Sequence, residues 1–180
     1  MDPLKHIRLM AQYNQWMNAK LYETAAKLSP EELAKDRGAF FGSVLGTLNH
    51  IMVGDIIWLK RLATHPAAHR ALDPVRQRER PDTLNRILHS DLAKLWQERK
   101  DLDAIILAWT QEMTASDLDH ALEYRNMKGV PARKLFGTLV LNLFNHQTHH
   151  RGQATTLLFQ AGVDVGVTDL LVLIPEEAAG

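Results

Sequence analysis

The stretch Phe136-Gly137-Thr138-Leu139-Val140-Leu141-Asn142-Leu143-Phe144-Asn145-His146-Gln147-Thr148-His149-His150-Arg151-Gly152-Gln153 carries a helical period and three histidines together. Phe136, Leu139, Leu143 and, farther on, Leu157 fall on one face of an α-helix. Residues four apart on such a helix are separated by roughly 40° about the axis and about 6 Å along it. His146 and His150 have this spacing and continue the apolar face, so two imidazoles can reach one ion from a single helix. His149 lies roughly 100° from the centre of that face and is expected in solvent or against a substrate. An inward histidine needs partners for its ring nitrogens, because an unpaired buried polar group is costly. A metal can take one nitrogen and a hydrogen-bond acceptor the other. Neighbouring side chains in a packed core can serve equally, and spacing alone leaves both readings open.

Working outward, this helix is expected to run from about Arg133 to Gln160, with Gly162 placed to end it. Met10, Tyr13, Met17 and Leu21 mark a first amphipathic helix from about Leu4 to Leu28. Ser29-Pro30-Glu31-Glu32 reads as a fresh helix start, with Ser29 as cap and Glu32 closing a capping box. Asp36 to Gly42 is loop-like. Ser43 is placed to cap a long helix through roughly Leu62, apolar around much of its circumference and therefore central in a bundle. His50 sits in that helix, where a histidine is least expected without a partner. Gly46 and Gly54 share its face, and each glycine inside a helix costs roughly 1 kcal/mol relative to alanine. Either space is wanted near His50, or the helix packs closely on a neighbour.

From His65 to Pro81 prolines alternate with Arg70, Arg76, Arg78 and Arg80, which predicts a long surface loop. Asp82 or Thr83 is expected to start the next helix, along Leu84, Ile87, Leu88, Leu92, Leu95 and Trp96 to about Trp109. Ala121–Arg125 and Gly129–Arg133 flank Asn126-Met127-Lys128 as a short hairpin. Asp169 is placed to start a last short helix that Pro175 ends. The expected architecture is an all-α four-helix bundle with short extra helices and one small hairpin, a single domain over residues 1–180.

Hydrophobic residues make up 46% and charged ones 23% of the 180, the composition of an ordinary globular chain. Lys+Arg and Asp+Glu both total 21. That balance argues against a nucleic-acid partner, for which a basic surface supplies most of the affinity, and against a polybasic membrane contact. No secretory signal or membrane-length apolar run is visible, so the cytoplasm is the expected location. With no cysteine present, disulfides, thiolate ligands and a cysteine nucleophile are excluded. Any metal must be held by His, Asp, Glu or neutral oxygen donors. His65 and His69 have the same four-residue spacing as His146 and His150, but they straddle Pro66 in a charged stretch. His6 falls on the inner stripe of the first helix, and His89 and His120 are expected at the surface.

Tyr13-Asn14-Gln15-Trp16, then Leu48-Asn49-His50 followed by Asp55 and Trp58, and above all His146 to Gln153, resemble the DinB-like family of metal-dependent four-helix bundles. The resemblance covers nearly the whole chain. In that family one histidine of the second helix and two of an HxxxH stretch before Arg-Gly-Gln hold a divalent ion. It implies His50, His146 and His150 as ligands, and imidazole donors put zinc or nickel ahead of manganese or iron. It also implies a homodimer and a four-helix fold related to thiol-dependent transferases and isomerases.

Three neutral histidines leave an open position on an ion, the layout of a catalytic site. An ion there can lower the pKa of water, giving a hydrolase, or of a low-molecular-weight thiol, giving an S-transferase acting on a small molecule. Gln147 stands where a helical zinc protease would carry glutamate, which sets that activity aside. No catalytic residue is assigned from the sequence. Tyr13, Trp16, Trp58 and His149 are the candidate substrate-pocket residues. The competing expectation is a non-catalytic bundle whose metal is incidental and whose role is binding a partner.

Overall fold

The computed structural model describes residues 2–176, and helices dominate it. Helix α1 spans Pro3–Ala25, with Asp2 accepting from the Leu4 amide and Pro3 at its first position. The short α2 (Pro30–Ala34) starts on Ser29, whose hydroxyl accepts from the Glu32 amide. Ser43 does the same for Gly46 at the start of α3 (Val44–Leu62). Helix α4 is a single turn, Asp73–Gln77. The long α5 runs Leu92–Glu112. A hairpin of β1 (Ala121–Arg125) and β2 (Pro131–Leu135) leads into α6, Phe136–Gln160. Helix α3 packs on α6, α6 on α1 and α1 on α5, and α5 returns more lightly to α3. A four-helix bundle closes around Met17, Leu21, Leu48, Met52, Leu102, Trp109, Leu143 and Leu158, all essentially buried. Among the described residues, no helix is long and apolar enough to cross a membrane.

Three expectations need correction. The segment 65–81 is not a solvated loop. Leu72 and Val75 in it are fully buried, within a 3-10 turn (Arg70–Leu72) and α4. Arg76 in it binds backbone: Nη2 donates to Ala63 O (2.9 Å) and Nη1 to His69 O (3.1 Å), while Arg78 pairs with Glu98. Lys60 of α3 reaches across to the carbonyls of Val75 and Arg76. Second, α5 starts at Leu92 rather than at Asp82 or Thr83. Asp91 caps it, accepting from the Lys94 amide at 2.8 Å. Leu84 and Ile87, which carried the apparent period, are 46% and 51% exposed. Third, the hairpin's second strand lies two residues later than expected, with Ala121 opposite Leu135 and Arg125 opposite Pro131. It runs directly into α6, which therefore starts at Phe136 rather than Arg133. At the chain's other end, Leu170–Leu173 form a 3-10 turn after Asp169, whose side chain makes no capping bond.

Candidate metal centre

His50 of α3 and His146 and His150 of α6 come together where the two helices pack. Their ring centroids are 5.2 Å (His50–His146), 4.5 Å (His146–His150) and 4.3 Å (His50–His150) apart. One nitrogen from each lies within 4.8 Å of the other two, a set that can hold a metal ion.

The outer partners fix which nitrogens face inward. His50 Nδ1 lies 2.8 Å from the carbonyl of Leu84, an acceptor, so Nδ1 carries the proton and Nε2 is bare. His150 Nδ1 lies 2.8 Å from Gln153 Oε1 and donates to it. Gln153 in turn offers its Nε2 to His149 Nε2 at 3.3 Å, which orients the amide. The two bare Nε2 atoms of His50 and His150 are left facing each other at 3.1 Å. Two lone pairs at that separation repel unless a cation lies between them. Burial is the main cause that pushes His50 and His146 down to about 4, and it lowers His150 as well. All three rings are thus neutral near pH 7, as ligands must be. His146 Nδ1 is buried without a partner, a further polar atom that an ion or its ligands can satisfy. The donor set fits a divalent ion of the zinc or nickel kind.

Both glycines of α3 belong to this arrangement. A methyl group on Gly54 would lie 2.5 Å from His146 Cε1, so Gly54 makes room for a ligand ring. A methyl group on Gly46 would collide with the carbonyl of Phe41. The approach it permits lays the Phe41 ring on His50, with centroids 3.6 Å apart and planes at 15°. Phe41, Leu84 and the role of Gln153 escaped the sequence reading. Leu84 offers only a backbone carbonyl, which no side-chain pattern reports, whereas Gln153 three residues after His150 was a signal available to be read.

The expected apolar residues Phe136, Leu139, Leu143 and Leu157 of α6 are all buried, and the buried face extends beyond them to polar residues. It includes Gln147 and Arg151, 0% and 2% exposed, and His146 and His150 lie on the flank toward α3. Gln147 donates to Asp55 of α3 (2.7 Å), and Arg151 donates to Asn14 of α1. Arg99 of α5 pairs with Asp55 and lies 2.8 Å from Asp103, which accepts from Asn14 and Asn18. This polar core joins all four long helices, and its bonds at Gln147 and Arg151, one residue after His146 and His150, fix where those two rings stand.

A cleft of about 440 Å³ opens beside His50 and His146, walled by Gly54, Ile57, Trp58, Arg61, Leu84 and the hairpin turn Asn126–Lys128. Of the candidate pocket residues, the structure places Trp58 here. Tyr13 lies elsewhere, buried, with its hydroxyl donating to Thr168 O at 2.7 Å. Trp16 packs beside Tyr13, with Lys20 over its ring. His149 is exposed on a separate groove with Arg37, Phe40 and Gln153. His6 is half-buried beside an apolar hollow formed with Leu118 and Leu141.

His65, His69 and Asp117 form a second cluster, both rings 5% exposed. His69 Nε2 is 3.2 Å from Asp117 Oδ2, and the Ala67 amide donates to His65 Nδ1. Only the His69–Asp117 bond joins distant segments; His65 Nε2 and His69 Nδ1 are buried without a partner, and the three groups could themselves hold an ion. His120 is exposed as expected, and His89 is half-buried against Glu98.

Fold and centre together define a helical-bundle protein with a three-histidine candidate metal site between two helices. The family model of the DinB family matches residues 2–178, and the chain belongs to that family. It is similar to Protein DinB of Bacillus subtilis strain 168, 23% identical over 163 residues that cover 88% of this chain and 87% of that protein. The crystal structure of a DinB-like protein from Bacillus cereus ATCC 10987 shares its fold. The TM-score is 0.56 at 19% identity, over 88% of this chain and 94% of that one.

Proposed function

We propose that this protein is a metal-dependent enzyme holding one divalent ion, zinc or nickel, on His50, His146 and His150. Its reaction is the transfer of a low-molecular-weight thiol to or from a small molecule. The observation that carries the reading is the pair of bare Nε2 atoms 3.1 Å apart, each backed by an oxygen acceptor, at the wall of a cleft. Among the described residues this cluster has three members and no fourth protein ligand, which supports an open position and favours catalysis over a structural role. When bound, the ion would supply Lewis-acid polarisation that lowers the pKa of a thiol or water beside it.

The cleft supports thiol transfer over hydrolysis. Its walls carry Arg61 and Lys128 but no carboxylate. A free thiol loses its proton far more readily than water does, so it depends less on a general base to become a nucleophile. The chain has no cysteine of its own, so the thiol comes from outside.

The test is elemental analysis of untagged protein, followed by conjugation of glutathione and other small thiols to an electrophile panel. About one metal per chain, lost in His50→Ala and in His146→Ala/His150→Ala, together with metal-dependent conjugation, is the expected result. A wild type that takes up neither zinc nor nickel would overturn the reading. A loaded protein that hydrolyses esters or amides but conjugates no thiol would overturn the choice of reaction.

A further inference from the structure

We infer that Arg61 is an anion anchor: it receives the carboxylate or phosphate of an elongated ligand whose reacting end lies at the three histidines. The inference rests on the proposed function for its second half, while the anion site itself stands on the following observations.

Arg61 lies eleven residues after His50 on α3, close to three full turns, so the two share one face about 16 Å apart along the axis. Both line the same cleft. The guanidinium lies against two rings, 4.7 Å from the centroid of Trp58 and 5.2 Å from that of Tyr124. These rings themselves meet edge to face at 5.5 Å. Contact with the two rings restricts where the guanidinium can stand.

Arg61 Nε and Nη2, the pair that matches a carboxylate or phosphate bidentately, are buried with no hydrogen-bond partner. Among the described residues Arg37, Arg76, Arg78, Arg86, Arg99 and Arg133 each have a carboxylate; Arg61, like Arg8, Arg70, Arg80, Arg125 and Arg151, has none. A buried, ionised donor pair without an acceptor is costly. Lys128 on the hairpin turn adds a second cation to the same cleft. The Trp58–Arg61–Tyr124 stack also explains why the hairpin is held over this end of α3.

The measurement is the Arg61 Nε–H resonance, with tryptophan fluorescence alongside, during titration of metal-free protein with acetate, glutarate and inorganic phosphate. The expected result is a saturable shift with at least one of them, weakened about tenfold or more in Arg61→Met and partly restored in Arg61→Lys. Glutarate or acetate acting alone assigns a carboxylate, and phosphate acting alone assigns a phosphoryl group. Absence of any saturable shift, or equal binding by Arg61→Met of unchanged secondary structure, overturns the inference. Because the titration contains no metal, an empty histidine centre would overturn the proposed function without touching this result. Conversely, Arg61→Met should retain the wild-type metal content.

Discussion

Gly54 of α3 lies directly against the imidazole of His146 on α6, so close that a Cβ atom there would stand 2.5 Å from His146 Cε1. The relation joins a residue with no side chain to a candidate metal donor a helix away. Gly54→Ala raises the helix propensity of α3 by about 1 kcal/mol but must push the His146 ring aside. The expected outcome is zinc affinity lower by about 10- to 100-fold, the range of changes that misorient a ligand without removing it. Competition with a chromogenic chelator measures it. Unchanged affinity would mean that His146 tolerates displacement and is not a tightly placed donor.

The metal-free protein should lose stability on mild acidification. His50 and His146 are pushed down to about 4, chiefly by burial, while unfolded histidine titrates near 6.5. Between those values the unfolded chain binds more protons than the folded one, so stability falls as pH falls from about 6.5 through about 4. It does not change on this account above 6.5. Each histidine adds at most about 1.4 kcal/mol per pH unit inside the window. Urea unfolding in the presence of a chelator, compared with His50→Gln/His146→Gln, reads the difference. Parallel pH profiles for the two proteins would contradict the neutral, buried state of these rings.

Much of this was legible in the sequence. The four-residue spacing of His146 and His150, the anomaly of a histidine in the most apolar helix, and two glycines on its face all led to the centre. The capping serines at 29 and 43 located two helix starts within a residue. What failed has one cause: partners distant in the chain. Leu84, Ile87 and Leu88 have a helical period, yet Asn49, some 40 residues away, takes the backbone amides of Leu88 and His89 and leaves them unable to form a helix. Gln147 and Arg151 are polar residues to which the apolar pattern assigned no place. They are buried because Asp55 and Asn14 await them on other helices. Arg76 and Lys60 look solvated for the same reason, their acceptors being carbonyls of a segment no local pattern identifies.

Arg99 should be among the least replaceable residues. It is 1% exposed and is the cation between the carboxylates of Asp55 and Asp103. Burial raises both carboxyls and Arg99 opposes that rise. Arg99→Met leaves two buried acids without a counter-charge, for which about 3–5 kcal/mol is the usual loss, or roughly 10 °C in Tm for a chain of this size. Because Asp55 also holds Gln147, the α6 histidines should lose register and metal affinity together. Asp55→Asn/Arg99→Met/Asp103→Asn, which removes the charges as a group, should recover part of the stability. A loss below about 1 kcal/mol for Arg99→Met by urea unfolding would mean that water enters and takes over the role of the guanidinium.

Asn49 should act on the metal centre without touching it. Its side chain, fully buried, makes four bonds: Nδ2 donates to Leu45 O (2.9 Å) and His89 O (3.0 Å), and Oδ1 accepts from Leu88 N (2.8 Å) and His89 N (3.1 Å). Three of them pin residues 88–89, and a few residues earlier the same segment supplies the Leu84 carbonyl that holds His50 Nδ1. Asn49→Ala removes these bonds and leaves backbone groups to find water, a loss of about 2–3 kcal/mol. If the segment is the brace of His50, proteolysis between Arg78 and Ser90 should accelerate, and zinc affinity should fall by about tenfold or more. A variant that loses stability but keeps wild-type affinity would show that His50 is oriented by its stacking on Phe41 and not by the Leu84 carbonyl. Phe41→Ala in the same assay separates the two supports, since it removes the ring and leaves the carbonyl in place.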